Sequence, residues 1–224
     1  MNTHAFHFAG AHLHALPSGA LHWPAQATLV ASDLHLGKSA RLSEVGGAQL
    51  PPYDSRETLE RLDRDIAAFD PQHVICLGDS FDSAAIARAL PEEDRLWITR
   101  LQAGRRWTWI LGNHDPGPFE IGGAHHADLE ILGLQFCHIA KPDRTGQISG
   151  HYHPKARIQT RGRAISKPCF LYDQDKLILP AYGAYTGGLR TDSAVLSALM
   201  QADAMAILTG RMPVAIPMPR RAAG

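Results

Sequence analysis

The chain has 224 residues, of which 45% are hydrophobic and 20% are charged, as expected for a globular protein with a sizeable core. Its 22 basic and 22 acidic residues give a formal net charge of zero, which excludes bulk electrostatic attraction to nucleic acid but leaves a local basic patch open. No apolar run reaches the roughly 20 residues of a membrane helix, and the first residues lack the cationic start and apolar core of a secretory signal.

Short strands and one clear helix are predicted in the first part of the chain. The first 32 residues alternate β-prone pieces with turns. A helix is predicted over residues 54–69, where apolar side chains recur at helical spacing. Asp54 and Glu57 have the offset of a capping box at its start. A short apolar run at 73–78 predicts the next strand.

The remaining elements alternate at first and then become mostly strands. Further helices are predicted over 83–90, 91–103 and 193–201, and an apolar run at 107–112 predicts a strand. Short strands follow between 128 and 180, with late strand-like pieces near 205–209 and 212–216. This order favours an α/β sandwich of two sheets with helices outside. We expect one domain over residues 1–224, since no repeat or dividing linker interrupts the chain.

The cysteines indicate a reducing compartment. Cys76, Cys137 and Cys169 lie far apart in the chain and form no metal-type or redox pair. We therefore expect free, buried thiols in a cytoplasmic protein that has no membrane partner.

Four apolar segments end in residues that can bind a metal ion. These residues are Asp33 and His35, Asp79, Asn113 and His114, and His151 and His153. In open α/β sheets, sites form beyond the carboxyl ends of the strands, so the four groups are candidates to meet. A single such group is typically a turn or a solvated histidine pair. Four apolar segments that each end in such residues by chance are much less common than one. The sequence therefore predicts that the four groups share a metal site.

The ligand types indicate which ion would bind. Carboxylate, carboxamide and imidazole groups without a thiolate suit manganese, iron, zinc or a similar divalent ion. Six or seven ligands exceed what one open site takes from a protein, but they fit two ions that share a bridging carboxylate. Two ions about 3.5–4 Å apart suit phosphoester hydrolysis.

These groups fall into five ordered blocks that resemble the calcineurin-like metallophosphoesterases. The blocks are DLH at 33–35, GDSFD at 78–82, GNHD at 112–115, His138 alone, and GHYH at 150–153. The flanking sequences LPSGALHWP, LPPYDSRETLERL and LPAYGAYTGGL resemble the bacterial subfamily of ligase-associated DNA damage response endonucleases. The resemblance implies a two-sheet β-sandwich flanked by helices, with a dinuclear metal site at the strand ends and Mn²⁺ as the preferred ion.

The resemblance also implies a role for each matching residue. Asp33, His35 and His153 would hold the first ion, Asp79 would bridge both, and Asn113, His138 and His151 would complete the second. His114 would stabilise the transition state or protonate the leaving oxygen, while a bridging hydroxide attacks phosphorus. Asp115 would orient His114, because a carboxylate beside a histidine fixes its tautomer. Asp82 would bond a ligand histidine.

Some alternatives stay open at this point. His125 and His126 rival His138 as the ligand of the second ion, but they follow two glycines and are predicted to lie in a loop. His138 ends the run GLQFCHI, where the family places this ligand. His12 and His14 repeat the two-residue spacing without a carboxylate and are expected to be surface histidines.

Substrate contacts are predicted at two basic positions. Lys38 follows His35 by three residues, although LGK lacks the glycine spacing of a phosphate loop. The stretch 155–163 contains Lys155, Arg157, Arg161 and Arg163. It is either a solvated hairpin or a phosphate-contacting rim in which Arg157 grips the substrate.

Three functions compete. The first is a metal-dependent phosphodiesterase or endonuclease acting on DNA in a ligase-associated repair pathway, with an ATP-dependent DNA ligase and a helicase as partners. The second is a phosphohydrolase of cyclic nucleotides or dinucleotides. The third is a non-catalytic interaction module on the same fold, which the intact ligand set and His114 disfavour. A homodimer is compatible with the sequence.

Overall fold

Two β-sheets form the framework of the protein. The computed structural model describes residues 2–39, 53–115, 117–118, 120–160 and 162–220. The first sheet runs in chain order through β1 (His4–Phe8), β2 (Ala11–Ala15), β3 (Leu21–Trp23), β4 (Thr28–Ala31), β5 (His73–Leu77), β6 (Arg106–Ile110) and β7 (Ala124–His126). β1 to β4 pair antiparallel, whereas β4 to β7 pair parallel. The parallel half places the carboxyl ends of β4, β5 and β6 at one edge.

The second sheet has eight strands in the order β15-β14-β12-β13-β10-β9-β8 among the described residues, and β11 pairs with β12 beside this path. Its strands are β8 (Asp128–Ile131), β9 (Leu134–Cys137), β10 (Gln147–Ser149), β11 (Lys155–Thr160), β12 (Arg163–Tyr172), β13 (Lys176–Ile178), β14 (Met205–Leu208) and β15 (Val214–Pro217). β10 lies between β9 and β13 and is parallel to both.

The helices cover the outer faces of the sandwich. In the part of the chain that the structure describes they include α1 (Asp54–Phe69), α2 (Ala84–Arg88), α3 (Glu92–Gln102) and α4 (Ala194–Leu199), with a 3-10 turn at Pro24–Gln26. α1 and α3 pack against the first sheet, and α4 packs against the second. Among the described residues, no helix combines the length and the apolar character needed to cross a bilayer.

Alternating side chains of the strands build three apolar layers. In β4, Val30 points into the layer between the sheets, whereas Leu29 and Ala31 point toward the helices. Successive residues of a strand point to opposite sides, and both sides of β4 are covered, one by the helices and the other by the second sheet. The predicted two-sheet sandwich with outer helices is confirmed, and Cys76, Cys137 and Cys169 are free and buried as expected.

Two local predictions were wrong. Asp54 does not cap α1: the helix follows Tyr53 without a side-chain cap, and the Asp54 carboxylate instead accepts hydrogen bonds from the Ser39 N–H (3.1 Å) and Oγ (2.5 Å). The residues 124–126 form β7 rather than a loop, because they pair in parallel with β6. The hydrogen bonds of Asp54 and the strand β7 both depend on residues that are distant in the sequence.

Candidate metal centre

The candidate ligands lie at the ends of five strands drawn from both sheets. In the first sheet, Asp33 and His35 follow β4, Asp79 follows β5, and Asn113 and His114 follow β6. In the second sheet, His138 follows β9, and His151 and His153 follow β10. The site therefore forms only where the two sheets meet.

Left-handed backbone conformations turn many of these side chains into the site. The φ angles are positive at Asp33 (54°), His35 (45°), Asp79 (45°), His151 (71°) and His153 (46°). This conformation is uncommon for residues with a Cβ atom and costs on the order of 1 kcal/mol at each position. Its concentration at the strand ends is typical of a functional site.

Asp33, His35 and His153 form the first donor group. Nε2 of His153 lies 3.2 Å from Oδ1 of Asp33 and 3.4 Å from Nε2 of His35. Two ligand atoms bound at about 2.1 Å to one tetrahedral ion would be about 3.4 Å apart. The three donor atoms therefore have the spacing that a single ion requires.

Asp79, Asn113, His138 and His151 form the second donor group. Nε2 of His138 lies 3.3 Å from Oδ2 of Asp79, 2.9 Å from Oδ1 of Asn113 and 3.3 Å from Nδ1 of His151. A second ion fits this spacing equally well. Asp79 is thus placed with the second group, while its bridge to the first ion stays a prediction.

Neither of the two buried carboxylates is paired with a lysine or an arginine among the described residues. Asp33 is fully buried and Asp79 is 3% exposed, yet within the described ranges no lysine or arginine nitrogen lies within 4.0 Å of either carboxylate. Histidines are their charged neighbours. An ionised carboxylate is costly to bury without a partner. This donor set therefore fits two divalent ions with mixed oxygen and nitrogen ligands.

Hydrogen bonds hold the carboxylate of Asp33 in its ionised form. Burial opposes ionisation, but the hydrogen bond with His153 and the nearby histidine charges lower the pKa of Asp33 below its ordinary value. Ser32 Oγ donates to Oδ2 at 2.6 Å, and the His151 N–H donates to the same atom at 2.9 Å. The role of Ser32 as a hydrogen-bond donor to Asp33 was not predicted from the sequence. The one available signal was its position between β4 and Asp33.

The same electrostatic pairing operates in the second group. Burial lowers the pKa of His138, but its hydrogen bond with Asp79 and the two nearby carboxylates together raise it to about 9. Burial raises the pKa of Asp79, but His138 outweighs this effect and holds it at about 2. Nδ1 of His138 lies 3.0 Å from the Leu77 carbonyl, so Nδ1 donates and Nε2 faces the other ligands.

Glycines leave the space that the ligands fill. A Cβ atom at Gly78 would lie 2.4 Å from Nδ1 of His138, and one at Gly112 would lie 2.2 Å from Oδ1 of Asp79. A Cβ atom at Gly150 would lie 1.7 Å from Oγ of Ser32. These separations are far below van der Waals contact, so only glycine permits the observed ligand positions.

Asp82 orients His35 from behind. Its Oδ1 lies 3.0 Å from Nδ1 of His35 and 3.5 Å from Nζ of Lys38. The histidine thus presents Nε2 to the first donor group. Lys38 pairs with Asp82 beside the first donor group, and its contact with substrate stays a prediction.

His114 and Asp115 have different partners from those predicted. Nδ1 of His114 lies 3.2 Å from the backbone carbonyl of Asp82. The Asp115 carboxylate instead accepts hydrogen bonds from the N–H groups of Asp79, Ser80, Phe81 and Gly112, at 2.6–3.0 Å. The prediction that Asp115 orients His114 is therefore corrected: Asp115 holds the loop that carries Asp79, and the Asp82 carbonyl orients His114.

The other candidates lie elsewhere. His125 and His126 are on β7, the edge strand of the first sheet, whereas His138 contacts Asp79. Arg157 is exposed on β11, in a hairpin with β12, and its role in gripping phosphate stays a prediction. Arg161 of the same basic stretch lies outside the described residues.

Comparison with known proteins identifies the family. A family model described as calcineurin-like phosphoesterase matches residues 27–167, which is more than half of the chain. The chain belongs to the calcineurin-like phosphoesterases. Members of this family use two divalent metal ions, and the two donor groups of this phosphoesterase could hold them. The chain is thus a metal-dependent phosphoester hydrolase.

Two relatives show how far the likeness extends. The crystal structure of Pseudomonas putida nuclease MPE is 28% identical, has a TM-score of 0.75, and matches over 95% of this chain and 100% of that chain. An Arabidopsis thaliana protein, "Probable inactive purple acid phosphatase 14", is 30% identical over 93 residues. The matched region is 39% of this phosphoesterase but only 22% of the plant protein.

Proposed function

We propose that this phosphoesterase is a manganese-dependent nuclease that cleaves phosphodiester bonds of DNA in a ligase-associated repair pathway. The observation that carries the proposal is the pair of donor groups, one around Asp33 and one around His138, at the spacing of bound ions. Likeness over nearly the whole chain to a protein named as a nuclease supports the choice of substrate. The association with an ATP-dependent DNA ligase and a helicase rests on the subfamily resemblance alone.

Each ligand residue of the site is assigned to one ion or to both. Asp33, His35 and His153 would hold one ion, Asn113, His138 and His151 would hold the other, and Asp79 would serve as a ligand to both. When bound, the two ions supply Lewis-acid activation of water and neutralise the phosphoryl oxygens. The mixture of carboxylate, carboxamide and imidazole ligands suits Mn²⁺.

His114 supplies the proton that the leaving oxygen needs. Its Nδ1–H donates to the Asp82 carbonyl, so Nε2 faces the site, and the imidazolium form would give its Nε2 proton to the leaving oxygen and become neutral. Nε2 lies 3.9 Å from Oδ2 of Asp79, and the side chain is 32% exposed, within reach of a bound substrate. General acid catalysis of this kind contributes about 10²–10⁴-fold to the rate.

The first experiment compares a chromogenic phosphodiester with the matching monoester in the presence of Mn²⁺. We expect the wild-type protein to turn over the diester, and His114→Ala to lose about 10²–10⁴-fold in kcat. His126→Ala is the matched control, because His126 is exposed on β7 outside the donor groups. Absence of turnover of both esters with every divalent ion tested would overturn the proposal.

A second experiment identifies the natural substrate class. Single-stranded DNA, plasmid duplex and 2′,3′-cyclic nucleotides are offered at equal phosphodiester concentration. Cleavage of DNA with a kcat/KM above that for the cyclic nucleotides supports the nuclease. A preference for the cyclic nucleotides would overturn the choice of DNA while keeping the hydrolase.

A further inference from the structure

The outer face of the N-terminal strands is lined with histidines. Residues 1–32 contain five histidines and no aspartate, glutamate, lysine or arginine. In β1 and β2, Phe6, Phe8 and Leu13 are buried. Strand side chains alternate between faces, so His7, His12 and His14 all point away from the core on the opposite face.

The strand register brings these three imidazoles together. His7 is the direct cross-strand partner of His12, and His14 follows His12 by two residues on the same strand. The ring centroids are 5.0 Å apart for His7 and His12, and 5.1 Å apart for His12 and His14. His22, the cross-strand partner of His14, is farther away at 5.9 Å and packs on Phe69.

These separations match those of the catalytic donor groups in the same protein. The ring centroids of His35 and His153 are 5.2 Å apart, and those of His138 and His151 are 5.0 Å apart. Two imidazoles bound to one tetrahedral ion at about 2.1 Å have ring centroids about 5 Å apart. His12 lies at this separation from both His7 and His14, but the nitrogens of the three rings do not all lie within 4.8 Å of one another, so binding a common ion requires their side chains to rotate.

We propose that His7, His12 and His14 form a second metal site that binds Zn²⁺, Cu²⁺ or Ni²⁺ through imidazole nitrogens alone. Imidazole suits these ions, whereas Mn²⁺, Mg²⁺ and Ca²⁺ favour oxygen ligands, which residues 1–32 do not supply as carboxylates. The N-terminal site thus differs in selectivity from the catalytic centre. It does not depend on the proposed nuclease activity.

The rigid sheet holds His12 and His14 on one face without an ordering cost for the backbone.

The test measures Zn²⁺ bound per chain by calorimetry, with excess Mn²⁺ present for the catalytic centre. The variant is His12→Asn/His14→Asn, and His126→Asn is the control with one exposed histidine removed from β7. We expect the wild-type protein and the control to bind one more Zn²⁺ than the double variant, or to bind it at least tenfold more tightly. Equal stoichiometry and affinity in all three proteins would overturn the site.

A second readout separates metal binding from folding. Mn²⁺-dependent phosphodiester turnover and the thermal midpoint of the double variant should equal those of the wild-type protein, because both side chains lie outside the core. If the double variant melts at a lower temperature, His7→Asn provides the same comparison at an exposed position. Unchanged retention of His7→Asn on a Ni²⁺-chelate column would then also contradict the proposal.

Discussion

At the scale of single residues, the catalytic chemistry depends on how partners outside the ligand set fix each imidazole. His35 is aimed by the Asp82 carboxylate, His138 by the Leu77 carbonyl, and His114 by the Asp82 carbonyl. Two of these three partners are backbone oxygens, which have no signature in an amino-acid sequence. Sequence patterns therefore predicted the candidate ligands better than the groups that orient them.

The Asp82 side chain can be tested separately from its carbonyl. Asp82→Ala removes the carboxylate that orients His35 but keeps the backbone oxygen that orients His114. Loss of such an orienting partner costs about 10–100-fold in metal affinity. We expect a Mn²⁺ titration to show that loss, whereas His114→Ala should bind Mn²⁺ as the wild-type protein does. Equal affinities in both variants would show that Asp82 does not position His35.

Asp115 is expected to matter for stability rather than for proton transfer. Asp115→Ala leaves three buried N–H groups and one partly buried N–H group without their acceptor, so the free energy of unfolding should fall by at least about 3 kcal/mol. Chemical denaturation measures this change, with Asp115→Asn as the milder variant. A variant with normal stability but a lost kcat would restore the catalytic role that the sequence suggested.

At the scale of elements, local patterns predicted what local interactions determine. The apolar spacing predicted helix 54–69, and α1 has those bounds. The same reasoning failed for Asp54, which bonds Ser39, and for β7, which exists because it pairs with β6. The left-handed turns at Asp33 and His153 were also beyond sequence reasoning, since contacts between the two sheets stabilise them.

The turn after β10 offers a test of this packing. Gly150→Ala would bring a Cβ atom to 2.4 Å from Oδ2 of Asp33 and still closer to Ser32. We expect at least a tenfold loss of Mn²⁺ affinity and a lower thermal midpoint, because the two sheets must separate locally. Gly187→Ala is the matched control, since a Cβ atom there meets nothing within 4 Å. Equal behaviour of both variants would show that the two sheets approach less closely at the site.

At the scale of the whole molecule, the sandwich brings residues 33 and 153 together across two sheets, so the metal centre is a property of the folded chain. Ions that bind only the folded state stabilise it by mass action, by about 2.7 kcal/mol at a concentration 100 times the dissociation constant. The first sheet also contains buried ionisable groups away from the centre. These groups connect the stability of the fold to pH.

His73 should make the fold sensitive to acid. Burial, with a smaller contribution from Arg106, lowers the pKa of His73 to about 4, and its Nδ1 is buried without a hydrogen-bond partner among the described residues. The unfolded chain takes up this proton near pH 6.5, so the stabilisation is complete above that pH and is lost as the pH falls toward 4. The loss is on the order of 3 kcal/mol.

Urea denaturation between pH 7.5 and pH 4.5 measures this effect. His73→Gln keeps a group that can bond Thr108, the partner of Nε2 at 2.9 Å, but cannot take up a proton. We expect the stability of the variant to fall less steeply with acid than that of the wild-type protein. Parallel pH profiles would exclude His73 as a source of the acid sensitivity.

Seven residues from two sheets are predicted to hold two ions at one site. An anomalous difference map from crystals grown with Mn²⁺ would locate these ions. We expect one peak among Asp33, His35 and His153 and a second among Asn113, His138 and His151, with Asp79 in contact with both. A single peak, or peaks that avoid these side chains, would contradict this prediction.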